Sequence, residues 1–204
     1  LNIDDIWKIT ESNIVFPLTV LDNLDSGDLQ VINFCSYLQL IQGTFSSSYM
    51  LSKEYFKISL DAISKNVSNI FLFDTFGFDD NRNKIVDVFI KKILKGEDIV
   101  IPSNEISINL SDVSDVCRSL SPLESIPTGD CCIHSPFTIS LKGLAIILMR
   151  LMGKQANIIL GKKSNCYYSS IQELPINIYK EVKENQFEAN LLRRINEIRS
   201  ASII

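Results

Sequence analysis

Two short runs, Val31-Ile32-Asn33-Phe34 and Asn69-Ile70-Phe71-Leu72-Phe73, are apolar at nearly every position rather than at alternate ones. A strand of that kind must be covered on both faces, which is the situation in a parallel sheet sandwiched by helices. The intervening segments supply the helices. Residues 4–24 place Ile6, Ile9, Ile14, Leu18, Leu21 and Leu24 close to helical spacing, with Pro17 predicting a kink. Residues 49–64 set Tyr49, Phe56, Leu60 and Ile63 along one side, and 85–94 form an amphipathic helix closed by Gly96. A turn at 25–28 and a Ser-rich loop at 37–47 containing Gly43 punctuate the pattern. Further on, 98–102, 106–110, 131–134 and 157–160 read as short strands. Residues 112–120 read as a short helix and 122–127 as a loop. Ser140 is placed to cap a helix over 141–152 that Gly153 ends, and 184–199 forms a charged terminal helix. Strands alternating with helices of this length predict an α/β protein.

Composition narrows the function classes. The chain has 204 residues, 46% of them hydrophobic, enough for one domain with a sizeable core or one domain with a small appendage. A net charge of −4 argues against the basic face that nucleic-acid binding needs. No apolar run is long enough to span a bilayer, so no membrane partner is expected. The first residue is Leu1 rather than Met, which gives the expectation of a mature, truncated or partial product. Cys35, Cys117, Cys131, Cys132 and Cys166 are odd in number and scattered, which reads as reduced, mostly buried thiols of a cytoplasmic protein. Cys132 and His134 share one face of a strand while Cys131 points away, too few ligands for a metal, so none is expected. His134 is the single histidine, and a Ser–His–Asp hydrolase resting on it is rejected.

The pattern that carries chemistry is Tyr49-Met50-Leu51-Ser52-Lys53. Four residues apart on a helix, the phenol and the ammonium lie on one face. A nearby ammonium favours the phenolate and brings a tyrosine toward use as an acid and base at neutral pH. Ser36 follows the first apolar run, at the carboxyl end of a strand, where open α/β sheets bind their ligands. A hydroxyl there can donate to a substrate oxygen beside the tyrosine.

With Ser36, Tyr49 and Lys53 in this order, the sequence resembles the extended short-chain dehydrogenase/reductase family, in its nucleotide-sugar epimerase, dehydratase and reductase group. Asn13-Ile14-Val15-Phe16-Pro17-Leu18 is similar to the family's helix segment whose Asn orders a water-linked proton relay. Leu72-Phe73-Asp74-Thr75-Phe76-Gly77 is similar to its R-x-F-N-x-Y-G segment, which approaches the nicotinamide. The following residues 79–84, with Arg82, look like the loop opening the sugar-nucleotide domain. Phe-Asp-x-Phe-Gly followed by Asp-x-Arg-x-Lys resembles most closely the reductases making CDP-linked 3,6-dideoxyhexoses, such as abequose and paratose synthases.

The resemblance implies a Rossmann-like parallel sheet flanked by helices, incomplete at the N-terminus, with a small α+β substrate domain. It places the cofactor domain at 1–77, with later returns at about 98–118, and the sugar-nucleotide domain mainly at 78–204. It implies NAD or NADP as cofactor, a nucleotide-diphosphate sugar as substrate, and a homodimer formed through the helices at 8–24 and 49–64. Tyr49, Lys53, Ser36 and Asn13 would be catalytic. Tyr49, Lys53, Asp74, Thr75 and Phe76 would meet the cofactor, and Ser36, Asp74 and Arg82 the substrate. The expected reaction is reduction of a keto group on a nucleotide-linked deoxysugar. Epimerisation on the same scaffold and an inactive sugar-nucleotide-binding relative are the alternatives. A dehydratase is disfavoured because Tyr37-Leu38 stands where that subgroup has an Asp-Glu pair.

The chain also departs from the family. No G-x-x-G-x-x-G spacing occurs among its eight glycines, so the dinucleotide's phosphate cradle is missing from these residues. In the segment 108–116, similar to R-D-F-I-H-V-D-D-V, the phosphate-contacting Arg is replaced by Ile108, which leaves Arg82 as the leading cation.

Overall fold

A computed structural model describes residues 3–24, 29–41, 47–63, 66–78, 82–163, 171, 173–180 and 186–201. The expected turn at 25–28, Gly43, residues 79–81, Cys166 and the first residues of the terminal helix lie outside these.

The chain forms two compact units. Unit 1 comprises 1–72, 121–133 and 170–178. Its sheet holds β1 (Val31–Ser36), β2 (Val67–Leu72), a third strand at Gly129–Ile133 and a two-residue strand at Ile176–Asn177, in that order and all parallel. The two apolar runs pair as neighbours, Asn33 opposite Asn69 and Ser36 opposite Leu72. One face is covered by α3 (Ser48–Ile63), against which packs α1 (Ile3–Thr10), continuing through a π-turn at Glu11–Val15 into α2 (Phe16–Asp22). Phe56 and Leu60 of α3 pack with Val67, Val31, Leu18 and Leu21. Leu60 is wholly buried, a burial that contributes about 1.5–3 kcal/mol.

Pro17 disturbs its helix one turn earlier than the residue itself. It has no N–H to give to the Asn13 carbonyl four residues back. The helix widens there, and Phe16 N–H reaches Glu11 O instead, a five-residue step. The interruption therefore falls on Asn13.

Unit 2 comprises 73–120, 134–169 and 179–204, so residues 98–118 lie wholly within it. It contains a mixed sheet, β3 (Asp74–Phe76), β4 (Ser107–Asp112) and β5 (Thr138–Ser140), the last antiparallel. A separate parallel pair joins Ile99–Ile101 to Ile158–Leu160. Helices α4 (Ile85–Lys95), α5 (Val113–Ser119), α6 (Leu141–Met152) and α7 (Gln186–Ala201) complete it. Gly96 closes α4 at φ 69°, the left-handed conformation that favours glycine, and Ser140 Oγ caps α6 by accepting from Gly143 N–H at 3.0 Å. Phe76, Phe89, Ile93, Leu110, Leu144 and Leu191 lie at the heart of the core. Ile108, where the resemblance implies an arginine, is one of the buried residues of this core. The expected run 69–73 breaks after Leu72, and Asp74–Phe76 pairs instead with β4 in the other unit.

Candidate active site

In unit 1 the four residues expected to be catalytic sit on elements that touch. Ser36 ends β1 and caps the short 3-10 turn Tyr37–Leu40. Its Oγ accepts from Leu38 N–H at 3.3 Å, while its own N–H donates to Gln39 Oε1 at 2.8 Å. A hydroxyl used as acceptor in this way keeps its O–H proton for another group, and among the described residues none takes it. Tyr49 lies in the first turn of α3 and is 40% exposed. Lys53, one turn on and on the same face, donates to Phe34 O at 3.1 Å. That bond occupies one of three N–H groups and fixes the helix against the end of β1, two residues before Ser36. Burial lowers the pKa of Lys53 below that of an ordinary lysine.

Asn13 enters through the π-turn. Its Nδ2 donates to Ser52 Oγ at 3.0 Å, and Ser52 Oγ donates to Tyr49 O at 2.8 Å. Ser52 is buried and thus links the interrupted helix to the turn bearing Tyr49 and Lys53. Sequence reasoning passed over Ser52, although its place between the two motif residues was a usable signal. It also passed over Gln39, whose Nε2 donates to Glu54 Oε2 at 2.9 Å.

Farther along α3, polar groups run from the helix across the strands. Lys57 pairs with Asp61 and Asp130, Asn69 donates to both carboxylates, and Asn33 donates to Asn69 Oδ1. Cys35, beside this ladder, is pushed up to about 12 by burial against the pull of Lys53 and Lys57, so it stays a neutral thiol at physiological pH. Cys131 and Cys132 are also buried, whereas Cys117 is exposed. Among the described residues no His, Cys, Asp or Glu cluster is arranged to hold a metal. His134 belongs to unit 2 and packs edge-on against Phe73, ring centroids 4.9 Å apart.

The other expected residues are in unit 2. Asp74, Thr75 and Phe76 make up β3. Phe76 is core, whereas Asp74 is half-buried with its Oδ2 unpaired among the described residues, and burial raises its pKa to about 6 against an opposing pull from Lys84. Gly77 follows, and a Cβ there would come within 3.0 Å of the Val113 side chain, which accounts for a glycine at that step. Arg82 lies exposed at a bend after the segment 79–81.

No family model matches the sequence, and no curated protein does. Solved structures do match in shape. The UDP-N-acetylglucosamine 4-epimerase of Methanobrevibacter ruminantium M1, in complex with UDP-N-acetylmuramic acid, is 16% identical. That match covers 94% of this chain and 70% of that one, with a TM-score of 0.78. The UDP-glucose 4-epimerase of Thermotoga maritima with UDP-glucose is 15% identical over 97% of this chain and 72% of that one, TM-score 0.72. The UDP-glucuronic acid 4-epimerase of Bacillus cereus in complex with NAD is 15% identical over 93% and 68%, TM-score 0.73. No helix among the described residues is long and apolar enough to cross a membrane. The chain has the Rossmann-like fold of these sugar-nucleotide epimerases.

Proposed function

We propose that this chain carries the proton-transfer residues of an NAD(P)-dependent enzyme acting on a nucleotide-diphosphate sugar. The observation that carries the reading is the joint between strand and helix. Ser36 ends β1 with its hydroxyl proton given to no acceptor among the described residues, and Lys53 is bonded to Phe34 O with Tyr49 one turn away. The residues fit the ribose-nicotinamide end of the cofactor, because among the described residues Lys53 gives one N–H to Phe34 O and has two more for hydroxyl oxygens. The diphosphate end has no glycine-rich turn among the residues of this sequence. NAD(P), when bound, supplies or accepts the hydride.

Tyr49 takes a proton from a sugar hydroxyl, or returns one to a sugar carbonyl oxygen, at its phenol oxygen. Lys53 favours the charged phenol by its positive charge. Ser36 donates to the same sugar oxygen and orients it. Asn13, fixed through Ser52, supports water-borne proton exchange at the helix interruption. In unit 2 the reading gives Asp74, Thr75 and Phe76 contact with cofactor, Asp74 also contact with substrate, and Arg82 the charge for the diphosphate.

Epimerisation is the preferred outcome, because the structural neighbours named above are 4-epimerases. Keto reduction on a deoxysugar is the second reading, supported by the Phe-Asp-x-Phe-Gly and Arg82 motif. Epimerisation leaves cofactor levels unchanged, and reduction consumes one reduced cofactor per turnover. Two copies pairing through α1–α2 and α3 is part of the same proposal. It is supported by Trp7 at 66% and Phe16 at 66% exposed, and by Leu51, Tyr55 and Ile58 on the side of α3 away from the sheet.

The test is Tyr49→Phe in the protein as the cell makes it, with UDP-glucose and UDP-N-acetylglucosamine offered with NAD and NADP. Turnover read by NMR of the sugar anomeric signal should fall about 10²–10⁴-fold, with the circular dichroism spectrum unchanged. Wild-type turnover in the variant refutes the assignment.

A further inference from the structure

The reaction proposed above needs Ser36 and Tyr49 held at a set separation, yet they sit on different elements. Residues 37–48 separate them in sequence, and the Ser36 side chain caps the short turn that follows it. A second tie leads to α3. Ser36 N–H donates to Gln39 Oε1 at 2.8 Å, and Gln39 Nε2 donates to Glu54 Oε2 at 2.9 Å. Gln39 thus uses both ends of its amide, one on the strand end and one on the helix. Glu54 is the residue after Lys53, whose ammonium holds Phe34 O. Consecutive residues of α3 therefore grip the end of β1 on either side of Cys35, one through a lysine and one through a glutamine bridge.

We propose that Gln39 and Glu54 form a strut that positions the Ser36 hydroxyl relative to Tyr49 and Lys53. Neither residue touches a reacting atom, so both are positioning residues, and the inference rests on the proposed function. An amide suits the task because it accepts from a backbone N–H at one atom and donates to a carboxylate at the other. A glutamate at 39 would still accept from Ser36 N–H but would face Glu54 with like charge. Exchanging the two side chains restores one donor and one carboxylate in the same line. The misplacement that follows loss of the strut acts on orientation, where an error of about 1 Å costs on the order of 10²-fold in rate.

The experiment compares Gln39→Glu, Glu54→Gln and the double exchange Q39E/E54Q in the whole protein, using UDP-glucose and UDP-N-acetylglucosamine with NAD, and Tyr49→Phe as reference. Gln39→Glu is expected to lower kcat about tenfold or more with KM within about twofold. Amide hydrogen exchange at Ser36 should speed up in the same variant. The double exchange should recover both, which a purely structural cap would not show in kcat. Wild-type kcat and Ser36 exchange in Gln39→Glu, or a double exchange no better than the single, overturns the strut. If Tyr49→Phe keeps full turnover, the proposed function fails and the strut's catalytic role with it. Loss of turnover in Tyr49→Phe beside an unaffected Gln39→Glu overturns the strut alone.

Discussion

Asp74→Asn should stabilise the protein at neutral pH and leave it unchanged in acid. Asp74 sits on β3 with Oδ2 buried and without a hydrogen-bond partner among the described residues. Burial is the larger influence on its carboxyl and raises it from 3.8 to about 6, with Lys84 pulling the other way. The folded state therefore holds this proton more tightly than the unfolded chain does. Between those two values the native protein binds more protons, so stability falls as pH rises through the window, and the cost is complete above about pH 7. A displacement of roughly two pH units at about 1.4 kcal/mol each sets an upper limit of about 3 kcal/mol. Partial access to water reduces it, and a gain of about 1–3 kcal/mol is expected for the asparagine, which keeps the shape and carries no charge. For a chain of this size that corresponds to roughly 3–10 °C in Tm. Thermal melts followed by circular dichroism at pH 8 and below pH 4 read the difference directly. An equal gain at both pH values would show that charge is not the cause. No gain at pH 8 would refute the reasoning altogether.

Two further outcomes can be checked. Asp87 and Arg194 form a buried pair, Nε to Oδ1 at 2.9 Å, that fastens α7 to α4. Asp87→Ala should cost about 1–3 kcal/mol, since the buried guanidinium loses its bidentate partner but keeps Glu197 at 3.2 Å, whereas the double change Asp87→Leu with Arg194→Met should cost less; both are read by denaturant titration. Placing charge on the outer side of α3 with Tyr55→Asp and Ile58→Asp should yield monomers in sedimentation velocity at a concentration where the unaltered protein is dimeric. An unaltered protein that sediments as a monomer would refute the pairing.

Much of the architecture is legible in one dimension. The mostly apolar runs at 31–34 and 69–73 read as strands, and β1 and β2 are neighbours in a parallel sheet; β2 is buried from Val67 to Phe71 as expected, whereas Phe34 of β1 is 43% exposed. Ser140, Gly96 and Gly153 mark helix ends because capping needs only residues within one turn. Elements too short to show a period were not legible, among them Thr138–Ser140 and Ile176–Asn177. The widened turn at Glu11–Val15 was displaced from the expected kink because a missing proline N–H is felt at the carbonyl one turn before it. The boundary between the units was also hidden, since Phe73 continues the apolar run while the chain leaves its sheet.

The candidate site divides the same way. Tyr49 and Lys53 are readable because four residues make one helical turn wherever the helix lies. Ser36 is readable as the end of an apolar run. By contrast Asn13 meets Ser52 across 39 residues, Gln39 meets Glu54 across 15, and Arg194 meets Asp87 across 107. Such bonds depend on strand register and on which helix face turns inward, and both are set by packing the whole core rather than by any local stretch. The sequence by itself determined the longer strands, several helix ends and the spacing of Tyr49 and Lys53. Only the tertiary structure decided which polar groups meet, because hydrogen bonds form over about 3 Å, whatever the distance along the chain.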